Sequence, residues 1–87
     1  MYYLYILKSQ KDHKLYIGFT DDLRRRFREH QQGFSRATKH RRPWKLIYYE
    51  AYADRRDAQS RERQLKKFST AYGELKKRIG YSAENSD

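Results

Sequence analysis

The sequence contains no cysteine, which excludes a disulfide framework and any thiolate metal site. No apolar run approaches the roughly 20 residues of a membrane span, and no signal peptide is visible. A cytoplasmic setting is therefore the expectation. Acidic residues are scarce: 11 Asp and Glu face 21 Lys and Arg, a formal charge of +10. Glycine and proline are sparse too, at four and one, so each marks a particular turn, stop or close approach. No repeat, low-complexity stretch or second domain is visible in the 87 residues. A chain this short buries only roughly 60–65% of its extended surface, so its core is modest.

Tyrosine and basic residues are what the chain has in quantity, with nine tyrosines spread among the lysines and arginines. The positive excess predicts attraction to polyanions, above all nucleic acid. An anionic membrane surface would attract it too, but no interfacial Lys/Trp helix is present, so no membrane partner is expected. His13, His30 and His40 are not at zinc spacings. Neither an H-E-x-x-H helix nor a phosphate-binding G-x-x-x-x-G-K-[ST] loop occurs.

Lys14 to Gly33 reads as a strand passing through a glycine into a basic helix. Gly18 lets another group approach the backbone. Thr20 is the expected N-cap, with Asp21 and Asp22 in the first turn and Gly33 as the stop. At about 100° per residue, Leu23, Phe27 and His30 share one face, and Arg26 lies at its edge. Arg24, Arg25, Arg28 and Glu29 point elsewhere. Arg26 and His30 are either a snorkelling arginine beside a core histidine or members of a site.

Tyr2–Ser9 reads as an interior strand and Gln10–His13 as a turn. Pairing Ser9 with Lys14 sets Leu7 opposite Tyr16 and Tyr5 opposite Gly18, which puts Tyr5 and Tyr16 on one face. Phe34–Pro43 is a basic connection with room for a helical turn. Its Lys39, Arg41 and Arg42 are candidate phosphate contacts or plain solvated charges. Trp44–Tyr52 is the third strand, with Trp44 in the core. Ile47, Tyr49 and Ala51 are expected to alternate with Leu46, Tyr48 and Glu50. Asp54 caps a second helix in which Ala58, Glu62 and Leu65 share a face. Glu62 thus falls in the stripe to be buried, where it requires an ion pair (Arg26 or another arginine) or a bound cation. Arg61, Arg63, Lys66 and Lys67 point outward. Thr70 is the expected cap of a last helix, Ala71–Ile79, which Gly80 ends. Residues 1–80 form one domain, and 81–87 a frayed tail.

Tyr3-Leu4-Tyr5 and Tyr16-Ile17-Gly18 stand on adjacent strands, followed by Arg26, His30 and, far downstream, Glu62. This order resembles the GIY-YIG nuclease family, especially its small standalone members, which look like the N-terminal nuclease domain of the excinuclease C subunit. The resemblance runs from Tyr2 to about Ile79. Tyr3 replaces the first glycine, Phe19 stands where excinuclease-like members have lysine, and Tyr72–Glu74 lacks the asparagine that many members carry there.

The resemblance implies an α+β fold, a three-stranded antiparallel sheet flanked by helices, and metal-dependent hydrolysis of a phosphodiester bond, with DNA repair as a setting. Tyr5 and Tyr16 match the motif tyrosines, Arg26 the catalytic arginine, His30 a histidine of many members, and Glu62 the metal-binding glutamate. One tyrosine is expected to take a proton from water, with Tyr16 favoured. Arg26 is expected on a phosphoryl oxygen, and Glu62 on one Mg²⁺ or Mn²⁺. His30 orients a tyrosine or touches phosphate. With one good metal carboxylate, a two-metal site is not expected. Arg25, Lys39, Arg41, Arg42, Lys66 and Lys67 are the expected nucleic-acid contacts, with DNA placed ahead of RNA. Protein partners are unassigned, and the expected state is a monomer or weak dimer. The competing reading is a nucleic-acid-binding module of the same fold whose catalysis is lost or partner-dependent.

Overall fold

The computed structural model describes residues 1–84. Its sheet has the order β2-β1-β3, built from β1 (Tyr2–Ser9), β2 (Leu15–Thr20) and β3 (Trp44–Tyr52). Both pairings are antiparallel. The apolar run of β1 is central and buried from Leu4 to Leu7, as a strand covered on both faces must be. The hairpin register sets Tyr5 opposite Gly18 and Leu7 opposite Tyr16, as expected.

Helices cover both faces. The helix α1 (Leu23–Gln32) lies on one face, where Tyr5, Leu7 and Trp44 pack with Tyr16, Leu23, Phe27 and Leu46. On the other face lie α2 (Arg55–Lys67) and α3 (Ser69–Arg78). There Leu65, Leu75 and Ile79 close over Leu4, Ile6 and Ile17. A 3₁₀ turn, Lys39–Arg41, interrupts the connection before β3. The helix α4 (Gly80–Glu84) follows α3. Among the described residues, no helix is long and apolar enough to cross a membrane.

Several local expectations need correcting. The cap of α1 is Asp22, not Thr20: its carboxylate accepts from the Arg25 amide at 3.0 Å. Thr20 still pairs with Tyr3 in the sheet, because β2 runs one residue further, and its hydroxyl accepts from the Asp22 amide at 3.1 Å. Gly33, at φ 82°, terminates α1 in the left-handed conformation as expected. Asp54 caps α2 by accepting from the Arg56 amide at 2.8 Å. Thr70 caps nothing, since α3 already begins at Ser69 with no side-chain cap. Gly80, expected to end the last helix, opens a further one, while α3 stops at Arg78 with Ile79 as its C-cap, and the Lys8 ammonium donates to the Ala83 carbonyl at 2.7 Å. The tail expected over 81–87 is thus helical as far as Glu84, and 85–87 lie outside the described residues.

The alternation expected in β3 fails at a bulge. Ile6 pairs with Tyr48 but Leu7 with Leu46, so Ile47 is an extra residue. An inserted residue breaks the period of two. Leu46 therefore joins the α1 face while Ile47 and Tyr48 pack on the α2 face. Glu50 comes to lie between the Tyr48 and Tyr52 hydroxyls, which both donate to it. Arg61, expected in solvent, donates to the same carboxylate from Nε and Nη2 at 3.0–3.2 Å. Its side chain is 23% exposed.

Candidate active site

The site starts from a missing side chain. Tyr5 sits opposite Gly18, and its phenol lies across the glycine backbone so closely that a Cβ there would collide with Cζ and Oη. The ring passes over β2 at that point because Gly18 carries no side chain. Tyr5 is 1% exposed, and its buried hydroxyl is held at 2.7 Å from His30 Nε2. His30 is fully buried. Its other ring nitrogen, Nδ1, is 2.7 Å from the Thr38 hydroxyl. Thr38 is fixed in turn by Trp44, whose Nε1 donates to the Thr38 carbonyl at 3.0 Å. A line of buried polar groups therefore runs from Tyr5 through His30 to Thr38.

Burial, aided by the positive Arg26, pushes His30 down to about 4. The imidazole is neutral at physiological pH, with one nitrogen to donate and one to accept. Burial and the neighbouring Tyr16 push Tyr5 up to about 12; Arg26 opposes the rise and Glu62 adds to it. Tyr5 therefore keeps its proton at neutral pH.

Arg26 extends from α1 at the edge of the buried face, as its helical position requires. Its guanidinium donates from Nη1 to Glu29 Oε1 at 3.0 Å and lies near enough to Tyr5 for the two to influence each other's protonation. Burial alone would pull the guanidinium down, but the bond to Glu29 and the neighbouring Tyr5 outweigh it and the net shift is upward. On α2, Glu62 is 24% exposed and accepts from Lys66 Nζ at 3.2 Å. The same ammonium lies 5.9 Å from the centroid of Tyr16. Tyr16 is half-buried, edge-on to His30 with centroids 5.3 Å apart.

The fold thus draws Tyr5, Tyr16, Arg26, His30 and Glu62 to the β2 side of the sheet. Glu62 is paired with Lys66, one helical turn on, and not with an arginine. His30, expected to orient a tyrosine or touch phosphate, is fully buried with Nε2 on the Tyr5 hydroxyl. The expected nucleic-acid contacts scatter. Arg25 is tied to Asp21 at 3.2 Å. Arg41 is tied to Asp12 at 2.9 Å and lies over Trp44. Arg42 donates to the Lys39 carbonyl at 2.8 Å. Lys39 and Lys67 are exposed. Two further residues join the site beyond those expected. Glu29 stands three residues from Arg26, a spacing that could have shown it. Thr38 reaches His30 only through the fold of the connection, and no sequence signal points to it.

Among the described residues, no group of three or more His, Cys, Asp or Glu could hold a metal. A lone carboxylate fits a hard ion such as Mg²⁺, which keeps several waters and takes the rest of its shell from substrate phosphate.

The GIY-YIG catalytic-domain family model matches residues 1–80. A UPF0213 protein of Clostridium perfringens is 44% identical over 70 residues, covering 79% of this chain and 74% of that protein. The UPF0213 protein YazA of Bacillus subtilis is 36% identical over 75 residues, covering 85% and 75%. The solution NMR structure of a UPF0213 protein from Bacillus halodurans superposes with a TM-score of 0.57 at 27% identity, covering 98% of this chain and 95% of that one.

Proposed function

The chain belongs to the GIY-YIG family, and from that premise we propose that it is an endonuclease that hydrolyses phosphodiester bonds in DNA with one divalent metal ion. The observation that carries the reading is the packing of Tyr5 and Tyr16 against His30, with Glu62 tied to the Lys66 ammonium beside Tyr16 and Arg26 near enough to Tyr5 to oppose its upward shift. Separate elements supply them, and simple packing does not call for a guanidinium and a carboxylate beside two phenols.

In this mechanism Tyr16 is the base. Tyr5 holds its proton, whereas Tyr16 is half-exposed at the edge strand. Tyr16 first releases its proton to solvent, and its phenolate then takes one from the attacking water as the new P–O bond forms. The ammonium of Lys66 stands beside the ring on which that negative charge develops. Arg26, aimed by Tyr5 and Glu29, donates to a phosphoryl oxygen, where its planar fork fits the developing charge. Tyr5 and His30 position the guanidinium. Glu62 would hold Mg²⁺ or Mn²⁺, which would supply positive charge against the phosphoryl and leaving oxygens. The bond to the leaving oxygen breaks, and that oxygen takes a proton from solvent.

The absence of asparagine at Tyr72–Glu74 favours a second reading, a binding module of the same fold without cleavage. Labelled single-stranded, nicked and branched DNA, incubated with Mg²⁺ or Mn²⁺ and then with chelator, separates the two. Cleavage that disappears in Glu62→Gln and Arg26→Ala while binding persists supports the enzyme. Equal cutting by both variants assigns the activity to a contaminant, and binding without cutting under every condition leaves the module.

A further inference from the structure

Away from the tyrosines, the hairpin turn, the 3₁₀ turn and the end of α1 enclose an open cleft of about 480 Å³. Its lining includes Lys11, Lys39, His40 and Arg42, together with Gln31 and Pro43, and among the described residues no carboxylate. All four basic residues are exposed. Two are held in place by backbone: Lys11 Nζ donates to the His40 carbonyl at 3.2 Å, and Arg42 Nε to the Lys39 carbonyl at 2.8 Å. Each keeps further N–H groups free to donate. Asp12, the nearest acid in sequence, is occupied by Arg41 at 2.9 Å and does not line the cleft.

We infer that this cleft is a second anionic subsite, which grips the phosphodiester backbone of the nucleic acid away from the cleavage edge. The inference rests on the nuclease reading above and adds Lys11 and His40 as contacts while removing Arg41. A cleft that combines several cations with backbone-fixed donors suits phosphate oxygens, which take charge-assisted hydrogen bonds from Lys and Arg. Its place relative to the tyrosines gives it a length scale. Leu7, which pairs with Tyr16, to Ser9 covers about 7 Å along β1, and Lys11 lies beyond, in the turn. At about 3.4 Å per step along one strand, the phosphate held there is at least about two steps from the one being cut. The cleft thus serves long substrates and contributes nothing to very short ones.

The test is the salt dependence of binding to a DNA duplex of about 20 base pairs, measured with chelator present so that nothing is cut. The variant Lys11→Gln/Lys39→Gln should lower the slope of log K against log salt by nearly 2, about 0.9 per lost phosphate contact. Its thermal melt should match wild type, because both side chains are exposed. The control Arg63→Gln/Lys77→Gln removes the same charge from exposed positions on α2 and α3 and should change the slope far less. Equal slopes for the two double variants overturn the anchor, since net charge alone would then explain the effect. A wild-type slope in the Lys11/Lys39 variant also overturns it, while leaving the nuclease reading intact. Failure of wild type to bind duplex at all overturns that reading and the anchor together.

Discussion

The phenol of Tyr5 occupies the space that a side chain on Gly18 would fill. The two residues pair across β1 and β2, so neither can move away without disturbing the sheet. Gly18→Ala should therefore displace the Tyr5 ring and with it the bond to His30. Overpacking of this kind costs about 1–3 kcal/mol. Urea unfolding should show that loss, and cleavage should fall much further than stability does. A variant with wild-type stability and activity would mean that the ring has another place to go.

Thr38 supplies the hydrogen-bond partner of a buried imidazole nitrogen. Thr38→Val keeps the shape but leaves Nδ1 unsatisfied, a cost of about 1–3 kcal/mol. Thr38→Ser restores the hydroxyl and should restore most of the stability. Nitrogen chemical shifts of His30 should report a single tautomer in wild type and in the serine variant, and a mixed or exchanged one in the valine variant. An unchanged tautomer in Thr38→Val would separate Thr38 from the orientation of Tyr5.

His30 also sets a pH dependence. Its folded value is pushed down to about 4 from 6.5. Between those values the unfolded chain binds a proton that the folded protein refuses. Stability is thus complete above about pH 6.5 and is lost as the pH falls toward 4, by up to roughly 3 kcal/mol. Asp12 and Asp54, both held down to about 2 by hydrogen bonds, lose their contribution only at lower pH, so the windows do not overlap. Thermal melts from pH 7.5 to 4 check the slope, and the His30 ring-proton shift should stay flat until about pH 4. A shift that titrates near 6.5 would show the imidazole open to water.

Glu50 is the structural counterpart of this site on the opposite face of the sheet, with two phenols and a guanidinium on one carboxylate. Arg61→Met removes the charged partner from a carboxylate 16% exposed, which should cost about 1.5–3 kcal/mol. Cleavage per folded molecule should not change, because Arg61 touches nothing on the tyrosine side. Loss of activity at full stability would place Arg61 in the site.

How much of this is legible in the sequence follows the range of each interaction. The strands, both long helices and the hairpin register follow from local periodicity, so the shared face of Tyr5 and Tyr16 is implied by the order of residues alone. Arg26, His30 and Glu62 are marked by conflict: polar groups stand in apolar stripes. Thr38, the Glu50–Arg61 pair and the cleft of Lys11 and His40 depend on how distant segments meet, and no local pattern encodes that. The bulge at Ile47 matters most among these. One extra residue turns Tyr48, Glu50 and Tyr52 to the α2 face, and only there does Arg61 find a carboxylate in place of solvent.

Lys66 gives the last prediction, because magnitudes separate its two contacts. Its bond to Glu62 is an i, i+4 pair at a half-exposed ammonium, and such pairs are worth only about 0.3–0.5 kcal/mol. Removing it in Lys66→Met should therefore lower the Mg²⁺ concentration needed for half-maximal cleavage by no more than about twofold. Its position 5.9 Å from the Tyr16 ring matters differently, since that cation favours the phenolate that must form before water can give up its proton. At saturating Mg²⁺ the rate should fall by about tenfold or more, the effect of making that phenolate roughly 1.4 kcal/mol harder to form. The apparent metal affinity and the rate at saturation would then move in opposite senses. A large change in metal requirement with an unchanged maximal rate would instead make Lys66 a competitor for Glu62 and nothing more, and would leave Tyr16 without its neighbouring charge as an argument for the base.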